Sequence, residues 1–282
     1  MRHRMPRPGR STLAALAIAL FIVSCEEPER ALVTIELAGQ VGDAPFACGA
    51  TYEGIGTSAT TLTALDFRFY VHDVRLTTET GEVALQLTDD GVWQSRSIAL
   101  IDFEDGDECE GGNAAMNTAL VGTVPAGTGA ITGIRFRVGV PEARNHLDSA
   151  TAPSPLNLSS MYWGWQGGYK YLRFEGRTTG QPAGMRVHLG AIGCTGDARM
   201  GTRTCAMRNE VEVALDAFDP DRDVLVADLA ELFASSDLDV DMGGPPGCMS
   251  DVDDPDCVVI FDALGISEGS TQQLFRAERR EE

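Results

Sequence analysis

The strongest constraint on the fold is an alternation of apolar and polar residues with a period of two. In the segment FRFYVHD, Phe67 and Phe69 are expected on one face of a strand and His72 on the other. The alternation recurs in ITGIRFRVGV, YLRFEG, MRVHLGAI and NEVEVALD, whereas helical spacing is confined to ADLAELFA. The chain has many half-buried strands and 31 glycines, and its strands do not alternate with helices. This pattern predicts an all-β fold. We expect an antiparallel β-sandwich, stapled by disulfides, with one or two short helices.

The first 24 residues have the features of an export signal. The arginine-rich segment MRHRMPRPGR precedes an apolar run, STLAALAIALFIVSC, that is too short for a comfortable membrane span. The end of this run, IVSC, resembles the lipobox of bacterial lipoproteins. We therefore expect cleavage after residue 24, lipidation of Cys25, and a charged tether over residues 25–30. The alternative is an ordinary signal peptide in which this cysteine occurs by chance.

The rest of the chain is expected to form a single β-sandwich domain. No long linker, internal repeat or low-complexity segment divides residues 31–266. Residues 267–282 are polar and are predicted to form a tail that frays.

The cysteine count indicates three disulfides. Without Cys25, six of the seven cysteines remain, and an even number in an exported chain is typical of a disulfide framework. The sequence alone permits many pairings. We favour two short loops, which leaves one long-range pair: Cys194 with Cys205, Cys248 with Cys257, and Cys48 with Cys109. A zinc or iron–sulfur site is disfavoured because the chain has no Cys-x-x-Cys pair.

The acidic balance argues against a nucleic-acid partner. Removal of residues 1–24 takes away four arginines and no acid, so the formal net charge changes from -20 to -24. Asp219, Asp221 and Asp223 alternate as carboxylates do in calcium loops, but the glycine and terminal glutamate of an EF-hand are missing. Calcium is therefore the weaker alternative, and solvated loops explain most of the acidic clusters.

Residues that can carry chemistry are concentrated between Gly139 and Gly190. This stretch holds two of the four histidines, two of the three tryptophans and the only lysine. No hydrolase signature or phosphate-binding loop is present, so we do not expect an enzyme. A sandwich can bring histidines from separate strands together, and three neutral imidazoles suit copper or zinc, with Met161 as a soft ligand. Taken singly, each histidine is more typically exposed or structural.

The two tryptophans of this stretch leave two interpretations open. Trp163 and Trp165 have the spacing of one strand face, and they could simply pack there. Exposed on a surface, the same rings could bind sugars. The alternative function is therefore a carbohydrate- or surface-binding module, and a third is a purely structural envelope lipoprotein.

Seven segments between about Leu32 and Gly265 resemble segments of a known protein family, and they occur in the same order as in that family. They are FRFYVHDVRL, the DFED segment before Cys109, GVPEARNHLD, PLN, MYWGWQGGYKYLRFEG, HLG before Cys194, and GCMS with DPDC. Together they resemble the MbnP-like family of exported copper-binding proteins, the four-Cys partners of "metallo-mystery pair" systems. The family's GYKF stands here as GYKY, which is a mild departure.

The resemblance implies a copper protein that is modified by a redox partner. It implies copper, as Cu+ or Cu2+, held by His72, His146 and His188. It also implies that a dihaem MauG-like peroxidase (MbnH-like) oxidises Trp163 or Trp165 to kynurenine. Such a protein would act in copper homeostasis or delivery. We expect it to be lipid-anchored in the cell envelope, at the outer membrane, facing the periplasm or the cell surface.

Overall fold

The structure is a computed structural model, and it describes residue 1 and residues 29–106, 108–109, 115–164, 167–197 and 203–280. The predicted signal peptide, Cys25 and Trp165 lie outside the described residues. The strands are β1 (Arg30–Val41), β2 (Ala44–Pro45), β3 (Thr51–Ile55), β4 (Thr60–Thr78), β5 (Gly81–Ala84), β6 (Gln86–Leu87), β7 (Gln94–Ser95), β8 (Ile98–Asp102), β9 (Ala119–Pro125), β10 (Ile131–Val138), β11 (Tyr162–Gly164), β12 (Gly168–Tyr169), β13 (Leu172–Thr178), β14 (Met185–Leu189), β15 (Ile192–Thr195), β16 (Thr204–Met207), β17 (Val211–Leu215), β18 (Asp223–Asp228) and β19 (Phe275–Arg279). The helices are a 3-10 turn (Ser159–Met161), α1 (Leu229–Phe233) and α2 (Pro255–Ala263).

Two large sheets build the fold, and the predicted all-β sandwich is confirmed. One sheet has the order β19-β18-β1-β9-β6, with β2 paired to β1. The other has the order β14-β13-β4-β10-β17, with β3, β5, β7 and β8 attached. Phe275 of the first sheet meets Phe69 and Phe136 of the second, with ring centroids 5.3 Å apart in both pairs. Pairing is antiparallel except between β1 and β18, where Leu37–Gln40 run parallel to Leu225–Asp228.

The central strand β4 is buried on both faces over residues 64–72. The phenylalanines lie in the sandwich core on one face, as the alternation predicts. The opposite face is also covered, because the segment before β13 crosses it. The Tyr70 hydroxyl donates to the Pro155 carbonyl, and the Arg68 Nη1 lies 3.2 Å from the Ser160 hydroxyl. The sequence pattern of β4 predicts one buried face, and a segment about ninety residues later in the chain buries the other face.

Charged side chains on this covered face pair with one another. Arg68 contacts Asp66 at 2.6 Å and Glu104 at 2.8 Å, and Arg173 contacts Asp66 at 2.9 Å. Burial, together with the charge of Asp66, raises the pKa of Glu104 to about 9, so Glu104 is protonated at neutral pH. Arg173 also pairs with Glu175. Two guanidinium groups thus face two carboxylates, which balances the buried charge.

The three disulfides have the favoured pairing. Cys48 is joined to Cys109, Cys194 to Cys205, and Cys248 to Cys257. The first joins the loop before β3 to the segment after β8, the second bridges β15 and β16, and the third ties the 248–250 segment to α2. The first and third disulfides therefore fix segments outside the two large sheets, whereas Cys194–Cys205 lies within the β15–β16 ladder.

One or two short helices were expected, but the position of α2 was not predicted, and β19 lies in the segment that was expected to fray. The acidic segment DVDDPDC begins helix α2, because Asp254 caps it by accepting from the Asp256 N–H and Pro255 occupies its first turn. Residues 275–279, predicted as part of a fraying tail, form β19 instead. Phe275 is only 3% exposed, so burial of one aromatic ring outweighs the polarity of its neighbours. No helix in the described part of the chain is long and apolar enough to span a membrane.

The role of β19 can be tested with Phe275→Ala. We expect the substitution to lower the free energy of unfolding by about 3 kcal/mol, because it leaves a cavity between the two sheets. The measurement is chemical denaturation at neutral pH. Arg279→Ala, on the exposed end of the same strand, is the matched control and should change stability little. Equal stability of the two variants would show that the tail does not contribute to the core.

Candidate metal centre

His188 has the surroundings of a metal-binding histidine. It lies on β14, is 5% exposed, and its Nε2 is 2.8 Å from Oε1 of Glu175 on the neighbouring strand β13. Its Nδ1 is buried, and no described residue hydrogen-bonds to it. Metal-ligating histidines typically give one ring N–H to a carboxylate, which orients the ring and leaves the other nitrogen for the metal.

The protonation of the His188–Glu175 pair agrees with this arrangement. Burial lowers the pKa of His188 to about 4, and the hydrogen bond to Glu175 offsets this only in part. Burial would raise the pKa of Glu175, but the hydrogen bond from His188 and the charge of Arg173 lower it to about 2. At neutral pH a neutral imidazole therefore donates from Nε2 to a carboxylate, and the Nδ1 lone pair is available to a ligand.

Trp163 packs on Gly190, two residues after His188 in the chain. A Cβ added to Gly190 would stand 2.5 Å from Cζ3 of Trp163, so the indole ring packs directly on this glycine. Gly190 follows His188 by two positions, and alternate residues of an extended chain point to the same side. Gly190 is therefore required for the close approach of the ring to the segment that follows His188.

An open pocket of about 360 Å³ borders Trp163. Its lining includes Ala191, Cys194 and Met249. Met249 reaches this place because Cys248 bridges to Val187 and accepts from the His188 N–H, so the 248–250 segment runs beside β14. The sequence analysis missed Met249, and the only signal was its neighbour Cys248. Its thioether is a soft donor in the pocket that Trp163 lines.

His146 lies against the disulfide that borders this pocket. Its Nε2 is 3.3 Å from Sγ of Cys205, and it lies within 4.8 Å of the sulfurs of both Cys194 and Cys205. The loop that carries it is held by Asn145, whose side-chain oxygen accepts from the Tyr169 N–H. His146 thus contacts the disulfide whose other half, Cys194, lines the Trp163 pocket.

His72 lies apart from the other two histidines. Its Nε2 is 3.5 Å from Oε1 of Glu210, a carboxylate that also binds Arg137 and Arg208. In the ladder, Arg68 pairs with Arg173 and Arg173 pairs with His188, so His72 is displaced from that row by four residues of β4. Four residues of a strand span about 13 Å.

That His72, His146 and His188 share one metal site stays a prediction, and the register separates His72 from His188 along the sheet. In the described part of the chain, no group of potential ligand atoms within 4.8 Å of one another contains all three histidines. The physical reason is the register of the nine-stranded sheet, which places His72 and His188 in different rows.

The other candidate ligands, one methionine and three aspartates, lie elsewhere. Met161 is fully buried in the hydrophobic core. Asp219, Asp221 and Asp223 form a turn in which the carboxylates of Asp219 and Asp223 accept backbone N–H groups. Among the described residues these aspartates form no metal-binding group.

Lys170, the only lysine, belongs to the same region. Its Nζ donates to the Ser160 carbonyl at 2.8 Å. Burial, together with the positive charge of Arg173, lowers its pKa to about 8. The ammonium group holds the 3-10 turn that precedes Trp163, so this lysine helps to position the indole.

The residues around Trp163 fit a copper ion, the metal that the resemblance implies. The fit rests on the buried Nδ1 of His188, which has no described partner, and on the thioether of Met249 at the pocket. Imidazole and thioether are donors that copper accepts, and a thioether favours Cu+.

The packing of Trp163 can be tested with Gly190→Ala. The new Cβ would clash with the indole ring and with the Tyr169 carbonyl at 2.7 Å. We expect a loss of about 1–3 kcal/mol in stability and a change in tryptophan fluorescence. Gly129→Ala is the matched control, because a Cβ there meets no atom within 4 Å. An unchanged fluorescence spectrum in Gly190→Ala would contradict the placement of the ring.

The neutral state of His188 predicts a pH dependence of stability. The folded pKa of about 4 lies below the ordinary value of 6.5, so the unfolded chain takes up this proton first as the pH falls. The contribution is present above pH 6.5 and is lost as the pH falls towards 4, to the extent of about 3 kcal/mol. Denaturation of the metal-free protein and of His188→Gln across this window should give curves that converge at low pH. Parallel curves would contradict a neutral His188.

Comparison with known proteins agrees with the geometry. The MbnP family model matches residues 30–250. The structure of MbnP from Methylosinus trichosporium is similar to this one, with a TM-score of 0.80 and 30% sequence identity, over 90% of this chain and 100% of that chain. No curated protein sequence matches the chain. Because the family model covers well over half of the sequence, the chain belongs to the MbnP family.

Proposed function

We propose that this protein binds copper at the Trp163 pocket and works in copper homeostasis or delivery in the cell envelope. Family membership supports the copper-related role. The observation that carries the proposal is the His188 ring, whose Nε2 is held by Glu175 and whose buried Nδ1 has no described partner. Gly190, two residues further along the chain, packs against Trp163. The protein acts as a carrier and not as an enzyme.

The ligands are assigned from the chemistry of the pocket. His188 supplies Nδ1, and Met249 supplies a thioether. His146, on the other side of the Cys194–Cys205 disulfide, is the second imidazole at this pocket. His72 is assigned a structural role, because Glu210 and its two arginines surround it.

Modification of a tryptophan is the second part of the proposal. A dihaem MauG-like partner would oxidise Trp163 or Trp165 to kynurenine. The indole gains two oxygen atoms from hydrogen peroxide, which is reduced to water, and hydrolysis then releases ring carbon C2 as formate. The product carries an aromatic amine and a ketone beside the metal. Trp163 is half-buried at an open pocket, which favours it as the target, whereas Trp165 lies outside the described residues.

The location follows from the amino terminus. We propose that lipidated Cys25 anchors the protein to the outer membrane, on its periplasmic face or at the cell surface. The acidic chain would attract a cationic surface on the haem partner and so raise the rate of encounter.

The copper assignment is tested by metal analysis of the protein produced with the dihaem partner. We expect about one copper per chain in the wild type. In His188→Ala and in Met249→Ala we expect the copper affinity to fall at least about tenfold, as is typical when a residue of a metal site is lost. Met242→Ala changes an exposed methionine of the neighbouring loop and is the matched control. Equal copper in all four proteins would refute this site.

Mass spectrometry of the peptide that contains Trp163 and Trp165 tests the modification. Trp163→Phe and Trp165→Phe identify the target, since only one of them should abolish the kynurenine mass. A carbohydrate-binding function is the competing explanation for the half-exposed ring of Trp163. It predicts glycan binding that persists in His188→Ala and is lost in Trp163→Ala.

A further inference from the structure

We propose that Cys194, Cys205 and His146 form a second metal site, for a soft or borderline ion such as Cu+ or Zn2+, that opens when their disulfide is reduced. The three ligand atoms already lie within 4.8 Å of one another. This inference does not rest on the proposed function, because it requires neither His188 nor a modified tryptophan.

The backbone would keep the two sulfurs together after reduction. Cys194 and Cys205 are direct partners in the β15–β16 hairpin, with Cα atoms 3.8 Å apart. The flanking pairs Ile192–Met207 and Thr195–Thr204 hold the same register. Arg203 adds two hydrogen bonds within the hairpin, to the carbonyls of Cys194 and Gly196. The proximity of the sulfurs therefore depends on the hairpin and not only on the bond between them.

His146 supplies the nitrogen from a different part of the chain. Its Nε2 is 3.3 Å from Sγ of Cys205. The neighbouring Asn145 is 2% exposed and accepts from the Tyr169 N–H, so the histidine is carried by an anchored loop. Two thiolates and one imidazole are donors typical of zinc and of Cu+.

Exposure distinguishes this disulfide from the other two. Cys194 and Cys205 are both half-buried, and Cys194 borders the open pocket next to Trp163. Cys248 and Cys257 are 2% and 0% exposed, and Cys48 is 7% exposed. A reductant attacks a sulfur that it can reach. Both sulfurs of the Cys194–Cys205 bond are partly accessible, whereas each of the other two disulfides has one accessible sulfur or none. The positive guanidinium of Arg203 beside Cys194 also favours the thiolate form.

The chemistry balances with a dithiol as the reductant. The dithiol attacks one sulfur, the protein disulfide gains two electrons and two protons, and the dithiol leaves as its own disulfide. A metal ion then replaces the two thiol protons, which pass to solvent, and binds the neutral His146 ring. The site would thus couple metal retention to the redox state of the compartment.

The test uses the full chain and Cd2+ as the probe. The protein is titrated with Cd2+ before and after treatment with a mild dithiol in the absence of oxygen, and thiolate-to-metal absorption is recorded. We expect about one tightly bound Cd2+ per chain, with thiolate absorption, only after reduction. The thiol count per chain should rise by two on reduction.

Variants separate the three ligands. Cys194→Ser with Cys205→Ser should abolish the reduced-state signal, whereas Cys48→Ser with Cys109→Ser should retain it. His146→Ala keeps the disulfide, and so tests the site without loss of folding; we expect at least about tenfold weaker Cd2+ binding. Leu147→Ala, at a partly exposed neighbour, is its matched control.

The outcomes that would overturn the inference are specific. They are equal Cd2+ binding by the oxidised and reduced wild type, or equal affinities in reduced His146→Ala and Leu147→Ala. Failure of the oxidised protein to bind copper would count against the Trp163 pocket alone. His188→Ala should leave the reduced-state Cd2+ signal unchanged.

Discussion

The structure depends on charge pairing on a face of the central sheet that is closed to water. Asp66 and Arg68 have side chains with 0% exposure, and Arg173 links them to Glu175. Removing one partner from such a buried pair typically costs about 3–5 kcal/mol, because it leaves an uncompensated charge. The pairing also fixes the Glu175 carboxylate, which holds the His188 ring in one orientation. The orientation of the His188 ring thus depends on the ion pairs that hold Glu175.

The candidate centre combines this rigid face with segments from three other parts of the chain. Gly190 allows the indole of Trp163 to pack on the sheet, and Met249 arrives through a bridge between Cys248 and β14. His146 is brought to the same pocket by the loop after β10 and by the Cys194–Cys205 hairpin. Disulfides and backbone contacts hold these segments, so the pocket is formed before any ligand binds.

Local periodicity was sufficient to predict the strands, because one buried face imposes a period of two wherever it occurs. Periodicity did not predict strand β19 or helix α2. In β19, a single buried residue, Phe275, decides the placement among polar neighbours, and in α2 the cap at Asp254 decides it. Periodicity also could not show that the second face of β4 is covered, since the covering segment lies far away in sequence.

The sequence by itself determined the fold class and the family, because strand alternation and ordered motifs can be recognised along the chain. It favoured the three cysteine pairs that the structure has, although it permitted others. It also indicated that His72, His146, His188 and the tryptophans Trp163 and Trp165 belong to one site. Only the tertiary structure decided which nitrogen is open and which histidine stands apart. Strand register sets both, by making Glu175 a diagonal neighbour of His188 and by leaving His72 in another row beside Glu210. Register is fixed by packing of whole sheets, and no short segment encodes it.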